Sequence, residues 1–369
     1  MIFKKGEFFN GPGGLALGAK MARVVDENGQ EYRVEHAWAN DIDESACKTF
    51  IHNICPEKPE SVINKDVREL DIDTLGNIDA FTFGFPCNDY SIVGEKKGLQ
   101  GDYGPLYSYG VKVLKTYQPK WFVAENVSGL QSANEGQAFK KIMSELRDAG
   151  YKITPHLYKF EEYGIPQTRH RIIIVGIRND LNLEYKVPAP THGKGRLPYK
   201  TVKEALENPS IKEDAHNNEL TRHTQKVKDF LNCIPPGQNA WYEGIPEHLR
   251  LNVKGAKMSQ IYRRLHPDVP SYTVTGSGGG GTHMYHWEEP RALTNRERAR
   301  IQTFPDNFVF LGGKEKVRQQ IGMAVPPMAA KIIIEAILKT FAGIEYESID
   351  SKWSSEEFLV QVELNLVNA

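Results

Sequence analysis

The chain has 369 residues, 40% hydrophobic and 25% charged, with 46 lysines and arginines against 47 aspartates and glutamates. That length predicts two or three domain-sized units of ordinary soluble composition, and the near-neutral charge balance neither demands nor excludes nucleic acid, whose binding depends on local clusters of cations. No apolar run reads as long enough to span a bilayer, and the first residues lack the apolar core of a signal peptide. Cys47, Cys55, Cys87 and Cys233 form no disulfide or zinc pattern, so the expectation is a cytoplasmic protein with reduced thiols, no metal and no membrane partner.

The first half alternates short β-like runs with helical patterns. Residues 7–10 read as a strand, the Gly-rich turn Gly11-Pro12-Gly13-Gly14 follows, and a helix is expected near 15–24. Residues 32–39 predict a second strand and 43–52 a second helix, with Asp43 as N-cap. Further strands are expected at 61–64, 78–83, 121–125 and 172–177, and helices at 106–117 and 134–149. This alternation implies an α/β domain with a mainly parallel sheet. After about Lys186 the texture changes. Residues 191–290 are rich in Pro, Gly, Asn and His with little periodicity, and hold seven of the eleven histidines, none at metal-ligand spacing around a cysteine pair. Regularity returns at Arg291: Thr294 with Glu297 fits a capping box opening a helix, and 326–341 is a long apolar helix. No role is assigned to the tail from 343.

Several positions carry chemistry. The turn Phe9-Asn10-Gly11-Pro12-Gly13-Gly14 joins the first strand to the first helix, where glycines admit unusual backbone conformations and let the chain approach a ligand at the helix N-terminus. Asp41, just past the second strand, suits ribose hydroxyls, and Asp66, ending the third, suits an adenine amine. Together they sketch an adenosine-bearing cofactor without a triphosphate loop. Taken singly, each is as readily a tight turn, an N-cap or a solvated charge. Gly84-Phe85-Pro86-Cys87 places a thiol at a strand mouth, where a thiolate can act as nucleophile, though most cysteines are small buried hydrophobes. Glu125 ends a strand beside aromatic bulk and reads as an acid or a capping glutamate. In Gln167-Thr168-Arg169-His170-Arg171, alternation puts Arg169 and Arg171 on one side, able to grip a carbonyl or phosphates, or to lie on the surface.

In this order and spacing the stretches resemble the cytosine-C5 DNA methyltransferase family, in the compact form of prokaryotic restriction-modification enzymes. Phe9–Gly14 resembles its first cofactor motif, Asn40-Asp41-Ile42-Asp43 its second, Gly84-Phe85-Pro86-Cys87 its nucleophile loop, Glu125-Asn126-Val127 its Glu-Asn-Val motif, and Gln167–Arg171 its Gln-x-Arg-x-Arg. Arg291–Glu297, Gln302–Asp306 and Gln320–Val325 are similar to its last blocks. The resemblance implies an α/β, Rossmann-like S-adenosylmethionine-dependent methyltransferase domain with a mixed, mostly parallel sheet, plus a smaller irregular target-recognition domain. It implies a catalytic domain over 1–186, target recognition over 187–290, and a return segment over 291–342 that completes the catalytic domain. Cys87 would attack C6 of a flipped-out cytosine, Glu125 would assist at N3, Arg169 would hold the cytosine carbonyl and help position Glu125, and Arg171 would support the loop. Phe9, Gly11, Gly13, Gly14, Asp41, Ile42, Asp66, Val67, Leu106, Met323 and Val325 match cofactor-contacting positions, although Met323 stands where the family usually has Asn. The implied partners are double-stranded DNA and a cognate restriction endonuclease acting on the same site. The alternatives are a tRNA cytosine-C5 methyltransferase and a non-catalytic DNA-binding relative.

Overall fold

A strand begins well before the first predicted one: the central strand β1 spans Ile2–Phe8 in this computed structural model, which describes residues 1–85, 106–252 and 258–353, without the side chains of 132–135. The chain continues through α1 (Gly14–Met21), β2 (Arg23–Val25), β3 (Glu31–Asp41), α2 (Glu44–Ile54), β4 (Val62–Asn64) and β5 (Ala80–Phe83). Then come α3 (Tyr107–Tyr117), β6 (Trp121–Val127), α4 (Gln137–Asp148), β7 (Tyr151–Lys159), the short β8 (Gln167–Thr168), β9 (His170–Arg178) and β10 (Val187–Pro188). Later elements are α5 (Val202–Glu207), α6 (Gln225–Asn232), β11 (Ser271–Tyr272), α7 (Asn295–Ile301), α8 (Lys314–Met323), α9 (Pro327–Ala342) and β12 (Ser348–Ile349).

Contacts divide the chain into two units. The first holds the described residues of Met1–Lys159, His170–Ala189 and the chain from Ala329; the second holds Phe160–Arg169 and the described residues of Pro190–Met328. The main sheet of the first unit runs β2-β3-β1-β5-β6-β9-β7, with β4 also paired to β3. β1 is parallel to β3 and β5, β5 to β6, and β3 to β4, whereas β9 is antiparallel to both β6 and β7. This is the mixed, mostly parallel α/β sheet expected. The helix expected to reach residue 24 stops at Met21, because Arg23-Val24-Val25 pairs with the start of β3 as an antiparallel edge.

One face of the sheet carries Phe8, Trp38, Phe81, Phe83 and Phe122 against Val111 and Leu114 of α3 and Phe139 and Ile142 of α4. Each such buried side chain contributes about 1.5–3 kcal/mol through removal from water. Gly6 makes this packing feasible, since a Cβ there would lie 2.4 Å from the Trp38 ring. Elsewhere in this unit Phe3 of β1 meets Phe341 of α9 edge-on at 4.9 Å. Lys5 and Glu7, both buried, form an ion pair, and Lys5 Nζ also donates to Thr82 Oγ1 at 3.1 Å. The stretch Lys314–Ala342 is, contrary to the sequence reading, long and apolar enough by composition to cross a bilayer. It is broken into α8 and α9, and Ile333, Ile334, Ile337 and Leu338 of α9 are buried, as in a core helix.

The second unit has few regular elements. β11 pairs in parallel with β8, and Phe230, Leu231, Ile234, Ala240, Ile245, Tyr285 and Ala292 form a core cluster. Residues 291–328, expected to complete the catalytic domain, cluster instead with this unit. The cause is a set of buried polar ties: Arg296 donates to the carbonyls of His216, Pro305 and Phe308, and its N–H donates to Asn217 O. Thr294 and Glu297 form the expected capping box at the start of α7.

Candidate active site

The parallel strands β1, β3, β4 and β5 end on one edge of the first unit, and β1 lies at the switch point where the chain goes first to β3 on one side and later to β5 on the other. Such a reversal opens a crevice beyond the carboxyl ends of the strands. Phe9 follows β1 in the left-handed region (φ 55°), rare for a non-glycine residue. Gly11 (φ 50°) has open space where a side chain would stand, whereas a Cβ on Gly13 (φ 101°) would press on Phe50 at 3.0 Å and Ile54 at 3.1 Å. The first glycine leaves room and the second lets α1 close onto α2. α1 starts at Gly14 with Gly13 as N-cap and no side-chain cap, so among the described residues no capping side chain occupies its N-terminal donors.

Asp41, at the tip of β3, accepts hydrogen bonds from Gly11 N–H at 2.8 Å and Asp43 N–H at 2.9 Å. Burial pushes its carboxyl up from the usual range, and these bonds partly offset that. Ile42 beside it is 67% exposed, an apolar side chain held out at a strand end. Asp43 caps α2 by accepting from Ala46 N–H at 3.0 Å, as its sequence position predicted. Asp66 accepts from Arg68 N–H and from the Arg68 guanidinium through both oxygens, which holds its carboxyl low. Val67 and Leu106 are buried in the core cluster with Phe8 and Phe83. The open room at Gly11, the uncapped start of α1, the exposed Ile42 and the two carboxylates Asp41 and Asp66 suit a ligand with an apolar ring, hydroxyls and a charged tail, as S-adenosylmethionine has.

Glu125 lies near the end of β6, and Arg171 near the start of β9. The antiparallel register sets Val127 opposite Arg171 and Glu125 opposite Ile173, so Glu125 and Arg171 are diagonal neighbours. Arg171 Nε is 2.9 Å from Glu125 Oε1, with both side chains 14% exposed. The other oxygen, Oε2, faces Gly84, where a Cβ would lie only 3.2 Å away. Asn126, buried next to Glu125, donates from Nδ2 to Phe85 O at 3.0 Å. That bond ties β6 to the residue two places before Cys87; Cys87 itself lies outside the described residues. Gly84 and Asn126 were not among the predicted site residues, although both sit inside the quoted motifs, next to the residues that were.

Arg169 does not do what alternation predicted. β8 ends at Thr168 and β9 begins at His170, so the strand period breaks at Arg169. Arg169 is 2% exposed in the second unit, and its guanidinium donates to the carbonyls of Val274, Gly322 and Ala324, each at 3.0 Å. The arginine on Glu125 is therefore Arg171, and Arg169 braces its own unit. Gln167 braces it as well, donating to Gln302 Oε1 and accepting from Val274 N–H, both at 2.8 Å. Met323 ends α8 at 68% exposed, and Val325 is buried; both belong to the second unit.

A profile of the C-5 cytosine-specific DNA methylase family matches residues 3–339. The chain is 68% identical over 364 residues to the type II methyltransferase M.BbvI of Brevibacillus brevis, covering 96% of each chain. It is 40% identical over 348 residues to M.NgoFVII of Neisseria gonorrhoeae, covering 93% of this chain and 88% of that one. In fold it is similar to a Spodoptera frugiperda DNMT2 variant at a TM-score of 0.60 and 15% identity, covering 90% of this chain and 99% of the other. A match across nearly the whole length, on a sheet whose strand ends gather the expected carboxylates and glycines, places this chain in the C-5 cytosine-specific DNA methylase family.

Proposed function

We propose that the protein transfers a methyl group from S-adenosylmethionine to C5 of a cytosine within a specific duplex sequence, in the cytoplasm of its host. There it would protect that sequence from a cognate restriction endonuclease. The pairing of Glu125 with Arg171, beside the Asn126 bond that anchors the chain leading to Cys87, is the observation that carries this reading.

Phe9, Gly11, Gly13, Gly14, Asp41, Ile42 and Asp66 would hold the cofactor, whose sulfonium supplies an electrophilic methyl group. The Cys87 thiolate adds to C6 of the cytosine, which must first leave the base stack. Electron density then moves toward N3, where Glu125 would hydrogen-bond or deliver a proton. Arg171 holds Oε1 of that carboxyl, which leaves Oε2 to face the base. C5 would then be nucleophilic toward the methyl group, whose bond to sulfur breaks to leave a thioether; loss of the C5 proton to water, departure of the Cys87 sulfur as thiolate and return of any proton at N3 would restore the aromatic ring. The second unit, which contains 190–290, supplies target recognition, reading base edges in the major groove.

The test is a duplex carrying 5-fluorocytosine at the methylated position. Loss of fluorine is blocked, so the Cys87–C6 bond persists as a denaturation-resistant adduct that Cys87→Ala does not form. Absence of the adduct in the unaltered protein under turnover conditions overturns the mechanism, and methyl transfer to tRNA in place of duplex DNA overturns the substrate.

A further inference from the structure

Arg263 and Arg264 are adjacent in sequence and opposite in circumstance. Arg264 is buried, and its guanidinium is committed to backbone: Nε donates to His286 O at 2.8 Å, and Nη1 donates to Leu231 O and Ile234 O at 2.9 Å each. Arg263 is half-buried, yet among the described residues its guanidinium makes no hydrogen bond and no ion pair. It lies over the ring of Tyr272, with Cζ 4.6 Å from the centroid. Elsewhere in the second unit Arg250, Arg291, Arg296 and Arg300 all donate to protein acceptors.

The position is held firmly for a residue whose guanidinium meets no acceptor among the described residues. Arg263 O accepts from Tyr285 N–H at 3.3 Å and from the Tyr272 hydroxyl at 3.2 Å, so the aromatic platform is pinned to the residue it carries. Burial pushes the Tyr272 hydroxyl up to about 12, which keeps it a donor at neutral pH. The preceding Tyr262 adopts φ 46°, with its N–H on Gly281 O at 2.6 Å. A non-glycine residue in that conformation costs about 1–3 kcal/mol and persists where its surroundings over-determine it. Stacking fixes a guanidinium through its face and leaves its in-plane N–H fork open. The fork matches two acceptors side by side, as guanine O6 and N7 present them in the major groove. With the stem already ordered, less rotamer freedom is lost on binding.

We propose that Arg263, presented on Tyr272, is a specificity-determining residue that reads the O6/N7 edge of a guanine in the target duplex. The proposal rests on the DNA-methylating function above. Mixed-sequence plasmid DNA is methylated by the unaltered protein, Arg263→Ala and Arg263→Gln, and 5-methylcytosine is mapped by bisulfite sequencing, with duplex affinity measured across a salt series. If the unaltered protein marks no duplex, the function fails; if it marks a defined site, only Arg263 is on trial. Arg263→Ala is expected to lose discrimination at one guanine position by about 5- to 150-fold. Arg263→Gln, which keeps a long stem and suits adenine N6/N7, is expected to shift that position toward adenine, and serves as the test should the alanine variant fail to fold. Uniformly weaker binding to every duplex, with unchanged site preference and a salt slope smaller by about one, would assign Arg263 to a phosphate and overturn base reading. Unchanged pattern and affinity in both variants overturn the proposal outright.

Discussion

Gly84 offers a graded test of the Glu125 carboxyl. A Cβ at this position would stand 3.2 Å from Glu125 Oε2, closer than ordinary contact, so the carboxyl must withdraw by a few tenths of an ångström. It is held on its other side by Arg171 at 2.9 Å. Displacing a reacting group by 1 Å costs about 10²-fold in rate, so Gly84→Ala is expected to slow methyl transfer by about 3- to 5-fold. Gly84→Val adds branched bulk at the same place and is expected to cost about 10²-fold or more. Gly84 does not occupy the left-handed region, so neither variant incurs the backbone strain of a glycine-only position. The assay is single-turnover methyl transfer at saturating cofactor and duplex, beside thermal unfolding. A Gly84→Val protein with the unaltered rate would show that the placement of Glu125 described above does not govern the chemistry.

Lys5→Met strands the buried Glu7 carboxyl and is expected to destabilise the protein by about 3–5 kcal/mol in denaturant titration, while Lys5→Met/Glu7→Leu recovers most of that loss. A double variant no more stable than the single would refute the pair as the cause. A Cβ on Gly322 would fall 2.0 Å from Gly276 N, a collision with backbone that no rotamer relieves. Gly322→Ala is expected to cost about 3 kcal/mol and to sensitise the second unit to proteolysis; an intact digestion pattern would contradict this. Burial, then Lys5, Lys58 and Lys20, hold His36 at about 4 against an ordinary 6.5. Between those values the unfolded chain binds a proton that the folded chain does not, so stability falls as pH drops from about 6.5 to about 4. His36→Gln is expected to flatten that part of the melting-temperature profile, and equal slopes would refute the assignment.

Much of the first unit was legible in the sequence because its local signals agree with its tertiary placement. Asp43 caps α2, and the apolar runs at 78–83 and 121–125 supply the buried strands Ala80–Phe83 and Trp121–Val127; in the second unit Thr294 and Glu297 form their box. Where reading failed, distant partners decide. The start of β1 carries Lys4-Lys5-Gly6, which reads as polar chain until the buried contacts of Lys5 with Glu7 and Thr82 are known. β7 carries Pro155, a discouraging residue for a strand. It is tolerated because β7 is, among the described residues, the last strand of the sheet order, where one side of the backbone has no ladder to complete. Arg169 and Arg171 were expected to act together because a period of two was carried across residue 169, where one strand has ended and the next has not begun. The second unit is held by turns and by buried guanidinium groups on carbonyls, as at Arg264 and Arg296, and such ties leave no periodic trace.

The switch point at β1 arises from the path of the backbone: the chain departs to one flank, then comes back to the other. No individual side chain sets that strand order. The fold can outlast nearly complete replacement of its residues, as an architecture shared at 15% identity attests. What natural variation can change is the chain around this sheet, while the order of the strands beside β1 stays in place.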